Sequence, residues 1–319
     1  MPLCLYAQVT TLYQSAERAL AFSPQRQAMV HNNQAMEHDL KQARARYGPS
    51  VDLLLGYGAG QHSDSVTRLQ GADPSDSDLN SRGDATLRLT QKVYDGGETR
   101  QTISIRQAVL ESARHGLKEL TQAIVFDAIS AHLDVYRYSE LVALAKKDFQ
   151  VHQDIFHALS DIEQAGTGNI ADVTQTQTRM ARARSVLISS QSDLRAASAY
   201  YERVVGTKPE ALAFAGLPEA MPASLDDALV ETEQSNPGLL AINAILSETQ
   251  ARVDLARSAY KPKFNIELNS RYNDHLDGDP SWQHTNEAML VMRWNLFNGG
   301  QDKQGVKAAL SRNYQNRLK

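Results

Sequence analysis

Two short stretches of the chain decide its fold: residues 47–57, which read YGPSVDLLLGY, and residues 260–268, which read YKPKFNIEL. In each stretch a tyrosine and a proline precede a run with an apolar side chain at every second position. A period of two is typical of a β-strand that presents one apolar face. The two stretches lie 213 residues apart, so we predict that one structural unit occurs twice in the chain.

The repeat continues upstream as a helix. Ser23-Pro24 and Asn236-Pro237 are again 213 residues apart, and each proline opens a stretch with apolar residues at helical spacing. Because proline cannot continue a helix, Pro49 and Pro262 are expected to mark the places where these helices end and strands follow.

Downstream, each copy carries a polar loop and a second alternating run. The loops are residues 59–85 and 273–286, and the runs are residues 87–93 and 290–296. The second runs are predicted to be strands that lie beside the first ones.

Each second run stops at a pair of glycines. Gly96 and Gly97 follow the first run, and Gly299 and Gly300 follow the second. Glycine adopts a positive φ without steric cost, so matched pairs at both places indicate a sharp turn from strand to helix. The predicted unit is therefore helix, proline, strand, loop, strand, glycine pair and helix.

A long helical hairpin follows the first glycine pair. Residues 98–164 contain no proline and would span roughly 100 Å as a helix at ~1.5 Å per residue. A break at residues 165–169 leads to a second predicted helix, over residues 170–205. Both helices carry apolar side chains at seven-residue spacing, which predicts packing against neighbouring helices. These side chains are Leu110, Leu117, Ile124, Ala131, Tyr138 and Ala145, then Ala128, Val135, Val142, Phe149 and Phe156, and in the second helix Val173, Met180, Leu187, Leu194 and Tyr201.

Seven segments follow from this pattern. They are an N-terminal segment with the first helix (1–48), a strand pair (49–97), the long hairpin (98–205), a linker (206–223), the second-copy helix (224–261), a second strand pair (262–300) and the start of a second hairpin (301–319). Because the second copy stops soon after its glycine pair, we expect that the second hairpin is truncated at the C-terminus. Residues 1–7 fit either the tail of a signal peptide or an arbitrary start.

Charge and cysteine content exclude several classes of function. The chain has 33 Lys and Arg against 37 Asp and Glu, so no basic surface for a nucleic acid is expected. Cys4 is the only cysteine, which rules out a disulfide framework. The nine histidines lack the spacing of a helical zinc pair and are expected to be solvated. Asp127, His132 and Asp134 have no nucleophile in register, so we expect no enzyme, no metal and no cofactor.

Four strands are too few to close a membrane barrel, which needs at least about eight. The chain is therefore expected to assemble with its own copies, since cyclic symmetry closes both a sheet and a set of hairpins into rings. The predicted fold is mainly α with a β portion: a long antiparallel hairpin of an α-barrel, and four strands of an oligomeric transmembrane β-barrel. Six aromatic residues in or beside the strands fit either membrane-interface girdles or ordinary packing: Tyr47, Tyr57, Tyr94, Tyr272, Trp294 and Phe297.

These features resemble the TolC-like outer-membrane factors, the outer membrane efflux proteins. The resemblance covers nearly the whole chain and is carried by residues 47–49 with 260–262, 94–97 with 297–300, and 166–173. It implies a homotrimer whose β-barrel lies in the lipid of the outer membrane and whose α-barrel lies in the periplasm. Residues 201–206 and 294–297 further resemble the branch that serves type I protein secretion.

In that family the hairpin tips face a periplasmic adaptor (membrane fusion) protein and an inner-membrane transporter. The resemblance implies that Gly166, Gly168, Asn169 and Asp172 contact the adaptor. Turn chemistry alone also explains these residues, because Asn169 and Asp172 have the spacing of a capping box. The implied function is export of protein or of small molecules through a channel. A periplasmic adaptor or coiled-coil scaffold is the alternative.

Overall fold

A computed structural model of the chain describes residues 9–60, 80–216, 221–274 and 281–318. The helices in these ranges are α1 (Leu12–Phe22), α2 (Pro24–Ala45), α3 (Glu98–Gln164), α4 (Ile170–Val205), α5 (Leu225–Ser235), α6 (Pro237–Ser258) and α7 (Gln301–Arg317). The strands are β1 (Ser50–Gly60), β2 (Asn80–Tyr94), β3 (Lys263–Asp274) and β4 (Trp282–Arg293). Within the described ranges, no helix combines the length and the apolar content that crossing a bilayer requires.

The two repeat helices, α2 and α6, begin in the same way. Each has a proline as its first residue, a position at which the missing N–H costs no helical hydrogen bond. The preceding residue caps the helix: Ser23 Oγ accepts from Arg26 N at 3.2 Å, and Asn236 Oδ1 accepts from Gly238 N at 2.8 Å. Each helix has 22 residues, so the duplication is preserved in the structure.

The four strands form one antiparallel sheet in the order β1-β2-β3-β4. The pairing of β2 with β3 joins the two copies of the repeat. The prediction that the four alternating runs form neighbouring strands is therefore confirmed.

The strands differ in extent from the prediction. β1 continues to Gly60 and β2 begins at Asn80, so part of the predicted loop 59–85 is strand; likewise β3 and β4 extend into the predicted loop 273–286. These extensions are held by backbone pairing such as Gly58↔Arg82, and apart from Trp282 their side chains are small or polar, so they gave no apolar alternation. Residues 61–79 and 275–280 lie outside the described residues.

The predicted run 290–296 is too long at its far end. β4 stops at Arg293, which pairs with Lys263, so Trp294 and Leu296 lie beyond the strand. Pro262 precedes Lys263 and has no N–H to continue the ladder. Trp294 Nε1 instead donates to the carbonyl oxygen of Tyr260 at 3.0 Å.

The chain divides into two compact units. One consists of Met1–Asn32 and Arg114–Leu239, and the other of Asn33–Ala113 and Leu240–Lys319, which contains the sheet. The division cuts α2, α3 and α6 and so does not follow the seven segments. In the first unit the core is rich in small residues, among them Ala19, Ala128, Ala131 and Ala197, which allow helices to approach closely.

In the sheet-containing unit, all four strands connect to helices at the same end of the sheet. α2 leads into β1, β2 into α3, α6 into β3 and β4 into α7. The glycine pairs make two of these connections, and all four glycines have positive φ: 72° at Gly96, 92° at Gly97, 67° at Gly299 and 85° at Gly300. The predicted sharp turns are confirmed.

Gly96 is the most restricted of these glycines. A Cβ at Gly96 would lie 2.9 Å from the Ser258 carbonyl oxygen and 2.9 Å from Lys261 Cβ, whereas a Cβ at Gly97 would meet no atom within 4 Å. Gly96 therefore serves both the turn and the close packing of the β2–α3 connection on the C-terminal end of α6.

We expect Gly96→Ala to destabilise the fold more than Gly97→Ala. Both substitutions place a Cβ at positive φ, which costs about 1–2 kcal/mol, but only Gly96→Ala adds a backbone collision. Thermal unfolding of the two variants, followed by circular dichroism in detergent, measures the difference. Equal losses of stability would show that the close approach at Gly96 is not important.

Candidate functional site

One face of the sheet is apolar over all four strands. The register places Val51, Leu53, Leu55 and Tyr57 of β1 on the same face as Leu87, Leu89, Phe264, Ile266, Leu268, Tyr272, Trp282, Leu290 and Met292. These side chains are uncovered: Leu55 is 68% exposed and Leu290 is also 68% exposed. This face, the apolar face below, is large and lacks a protein partner within the described chain.

The opposite face, the polar face, carries the charges. Of the charged residues in the four strands, Asp274 alone shares the apolar face, at the far end of β3. A row of polar residues crosses the sheet as Asp52↔Arg88↔Asn269↔Glu287. Arg88 Nε donates to Asn269 Oδ1 at 2.9 Å.

Burial along β3 is inverted relative to a strand of a water-soluble protein. Its buried side chains are Asn269 and Asn273, on the polar face. Its apolar-face residues Ile266, Leu268 and Tyr272 are 41%, 42% and 45% exposed. Hydrophobic burial in water produces the reverse arrangement, so this sheet is built for an apolar environment on one side.

Two aromatic pairs lie near the two ends of the apolar face. Tyr94 and Phe264, at the helix end, have ring centroids 6.3 Å apart, and Tyr272 and Trp282, at the opposite end, stack at 6.2 Å. Tyr57 lies in β1, while Tyr47, Trp294 and Phe297 flank the strands, and all four are exposed. Aromatic side chains are enriched at both interfaces of a membrane barrel.

The first glycine junction has a side-chain cap that the second lacks. Asp95 Oδ1 accepts from Gly97 N at 3.1 Å, and Asp95 Oδ2 accepts from Thr99 N at 2.9 Å. Partial burial alone would raise the pKa of Asp95, but the hydrogen bonds from Thr99 and Gly97 together with nearby Lys92 outweigh it and hold the pKa below its usual value. At the second junction Asn298 replaces Asp95, and Gly300, the N-cap residue of α7, provides no side-chain cap.

The prolines at the junctions lie just before strands. Pro49 precedes Ser50, the first residue of β1, and Pro262 precedes Lys263, the first residue of β3. Lys263 Nζ donates to Glu98 Oε2 at 2.5 Å, which ties the start of β3 to the start of α3.

The hairpin turn between α3 and α4 is exposed throughout. Gly166 has a φ of 79°, and a Cβ at Gly168 would lie 2.6 Å from Glu163 N, so both glycines are required by the turn. Asn169 caps α4 by accepting from Ala171 N at 2.9 Å, and Asp172 lies in the first turn of the helix. The complete capping box is at α1 instead, between Thr11 and Gln14, and sequence reasoning missed it.

A buried polar network in the first unit was also missed. Ser15 and His132 are fully buried and Tyr201 is 1% exposed, so the expectation of solvated histidines is wrong for His132. His132 Nδ1 and Tyr201 Oη each lie 2.9 Å from Ser15 Oγ. The residues are 117 and 186 positions apart in the chain, so no local pattern could have found them.

The carbonyl of Ala213 fixes the direction of this network. His132 Nε2 lies 2.9 Å from the Ala213 oxygen, which can only accept, so Nε2 donates. In the neutral ring Nδ1 then accepts from Ser15, and Ser15 accepts from Tyr201. Since the serine–histidine pair is inaccessible to any substrate, its role is to hold α1, α3, α4 and the 206–216 segment together.

Comparison with known proteins gives a family match. The family model described as outer membrane efflux protein matches residues 15–207. The outer membrane efflux protein BepC of Brucella suis biovar 1 (strain 1330) is 23% identical over 232 residues, which cover 72% of this chain and 51% of BepC. Protein CyaE of Bordetella pertussis is 22% identical over 311 residues, 94% of this chain and 64% of CyaE. The chain thus spans about half to two-thirds of the length of these relatives.

A solved structure shares the fold. The outer membrane protein VceC from Vibrio cholerae superimposes with a TM-score of 0.75 at 17% sequence identity, covering 96% of this chain and 74% of VceC. The mainly helical architecture with a four-stranded antiparallel sheet, as predicted, is therefore a fold shared with a known outer membrane protein.

We expect Ser15→Ala to lower the free energy of unfolding by about 1–3 kcal/mol, because it leaves a buried imidazole nitrogen and a buried tyrosine hydroxyl without their partner. Ser104→Ala is the matched control, since the Ser104 hydroxyl is exposed and bonds only to the Arg100 carbonyl of its own helix. Chemical denaturation measures the free energy of unfolding of both variants. A loss no larger for Ser15→Ala than for Ser104→Ala would contradict a structural role for the network.

Asp95→Asn is expected to destabilise the fold by about 1 kcal/mol near neutral pH, because a charged cap at a helix N-terminus is lost. The folded pKa of Asp95 lies below the ordinary value of 3.8, so this contribution is fully present above pH 3.8. It disappears as the pH falls below 3.8 towards the folded pKa. The measurement is the free energy of unfolding against pH, and Asp193→Asn, on an exposed helix face, is the control. If the stability difference between Asp95→Asn and the unsubstituted protein persisted in acid, the charge would not be its cause.

Proposed function

The chain belongs to the outer membrane efflux protein family, and on that premise we propose that it is one protomer of a trimeric channel through the outer membrane, working in a tripartite export system. The observation that carries this proposal is the inverted sheet, with apolar side chains exposed and asparagines buried. In a bilayer the apolar face contacts lipid hydrocarbon, and the polar face lines an aqueous passage.

Strand length supports this environment. The four strands have 11, 15, 12 and 12 residues, and a tilted strand crosses a bilayer in about 9–11 residues. The aromatic pairs at both ends of the apolar face lie where such strands meet the two interfaces.

The sheet edges support assembly. β1 and β4 each have one side without a partner strand in the described part of the chain, and in lipid every backbone polar group needs an internal partner. Pairing of β4 in one protomer with β1 in the next satisfies both edges. Three copies give twelve strands, an even number within the range of closed bacterial barrels.

We propose that the helices lie in the periplasm. Because all four connections to helices lie at one end of the sheet, the helices leave the membrane on one side. On this proposal the exposed turn at Gly166, Gly168, Asn169 and Asp172 contacts a periplasmic adaptor protein, and the hairpin approaches an inner-membrane transporter.

The first candidate for the cargo is a protein exported by type I secretion. Residues 201–206 and 294–297 support it through their resemblance to that branch, and small molecules are the second candidate. A periplasmic adaptor or coiled-coil scaffold does not account for a sheet with its leucines uncovered, and the family membership favours the channel.

Leu55→Arg should abolish channel formation, whereas Leu54→Arg should preserve it. The two leucines are neighbours in β1 with similar exposure, 68% and 71%, but Leu55 lies on the apolar face and Leu54 on the polar face. An arginine facing lipid near the bilayer midplane costs about 2–4 kcal/mol per protomer. An arginine facing water costs little.

Conductance of the full-length protein in planar bilayers measures the effect. The proposal fails if the unsubstituted protein forms no channels, or if both variants conduct alike.

A further inference from the structure

A basic pocket lies where the apolar face ends and the helices begin. It has a volume of about 510 Å³ and is formed by the β2–α3 junction, the turn after α2 and the end of α6. Its lining includes Tyr47, Lys92, Arg100, Arg257 and Lys261, and this set defines the junction pocket. All of these residues belong to the sheet-containing unit.

The junction pocket has more positive than negative charge. Its four cations face two carboxylates, Asp95 and Asp254, and both carboxylates are engaged. Asp254 pairs with Arg257 at 3.2 Å, and Asp95 accepts hydrogen bonds from the start of α3. In the described part of the chain, Arg100 and Lys261 have no ion-pair partner. An excess of two positive charges around one cavity favours a bound anion.

The repeat accounts for only two of the four cations. Arg100 and Arg257 match the basic residues Lys303 and Arg44 of the other copy. The positions that match Lys92 and Lys261 are instead Asn295 and Gly48. Lys261 packs with its Cβ close to Gly96, so the full set of four cations occurs at one junction only.

The surroundings identify the anion. Tyr47 and Tyr94 line the pocket and are 53% and 45% exposed, as is usual for aromatic residues at a membrane interface. Lysine and arginine together are suited to a phosphate group, since arginine donates in a planar fork and lysine acts as a point charge. At the end of an apolar sheet face, a phosphate is available from a glycerophospholipid headgroup. A free phosphate compound offers the same chemistry.

We propose that the junction pocket binds a phosphate group, that of a glycerophospholipid headgroup at the helix end of the sheet, through Arg100 and Lys261, which lie outside the strands. This site rests on the proposed membrane location of the sheet. It would fix the depth of the protomer in the bilayer by attaching the strand-to-helix junction to the headgroup layer.

Calorimetric titration of the full-length protein in neutral detergent tests the site. The probes are short-chain phosphatidylglycerol, the corresponding diacylglycerol without phosphate, and glycerol 3-phosphate. We expect phosphatidylglycerol to bind and diacylglycerol not to bind. The double variant Arg100→Gln, Lys261→Gln should weaken binding on the order of tenfold or more, as expected for two interfacial charges.

Two controls make the result specific. Lys146→Gln, Lys147→Gln removes the same charge from an exposed helix face and should leave binding unchanged, while Arg100→Lys, Lys261→Arg should retain it. Glycerol 3-phosphate binding as tightly as the lipid would support the phosphate site and assign it to a soluble ligand. Equal binding by diacylglycerol, or undiminished lipid binding by the Gln variant, would overturn the proposal.

The outcome separates this site from the channel proposal. The Gln variant is expected to conduct in bilayers of phosphatidylcholine, because Arg100 and Lys261 lie outside the four strands. Absence of conductance in the unsubstituted protein would contradict the channel but leave the titration valid, whereas conductance without phosphate-dependent binding would contradict the pocket alone.

Discussion

A β-strand that is hydrogen-bonded to its neighbours still has two faces, and each face needs a medium that suits its side chains. In this protein the face that needs protection from water is left uncovered by the chain. Each leucine on it, among them Leu53, Leu55 and Leu290, forfeits about 1.5–3 kcal/mol of hydrophobic stabilisation when it remains in water. The sheet therefore requires an apolar environment on one side and water on the other. Its open edges require further strands.

The other features depend on this requirement. The glycine pairs turn each strand pair into helices at a single end of the sheet, so that the polar helices need not share the environment of the apolar face. At the first junction Gly96 makes this turn while its backbone packs closely against Ser258 and Lys261. The buried Ser15–His132–Tyr201 network performs a comparable task in the other unit, where it joins helices that are distant in sequence.

Periodicity and repetition were sufficient to predict much of this fold. The prolines, the glycine pairs and the alternating runs located the strands, because each is a local signal with a direct conformational meaning. The ends of the strands were harder to predict from the sequence. Residues such as Gly58 and Arg82 belong to the sheet through backbone pairing, which leaves no apolar pattern in the sequence. The end of β4 depended on a missing N–H at Pro262, which is a cross-strand effect.

The candidate sites show the same limit. The turn residues Gly166 and Asn169 could be found from sequence because turn and cap chemistry is local. The burial of His132 and the basic cavity around Lys92 and Lys261 could not, since both arise from residues brought together by tertiary packing.

Spin labelling along β3 tests whether one face of the sheet contacts lipid while the other contacts water. Single cysteines are introduced at each position from Phe264 to Asn273 in a Cys4→Ser background, and collisions with oxygen and with a water-soluble nickel complex are measured in lipid bilayers. We expect strict alternation, with even-numbered positions accessible to oxygen from the lipid and odd-numbered positions accessible to nickel from the water. Nickel accessibility at Ile266, Leu268 and Tyr272 equal to that at their neighbours would contradict it.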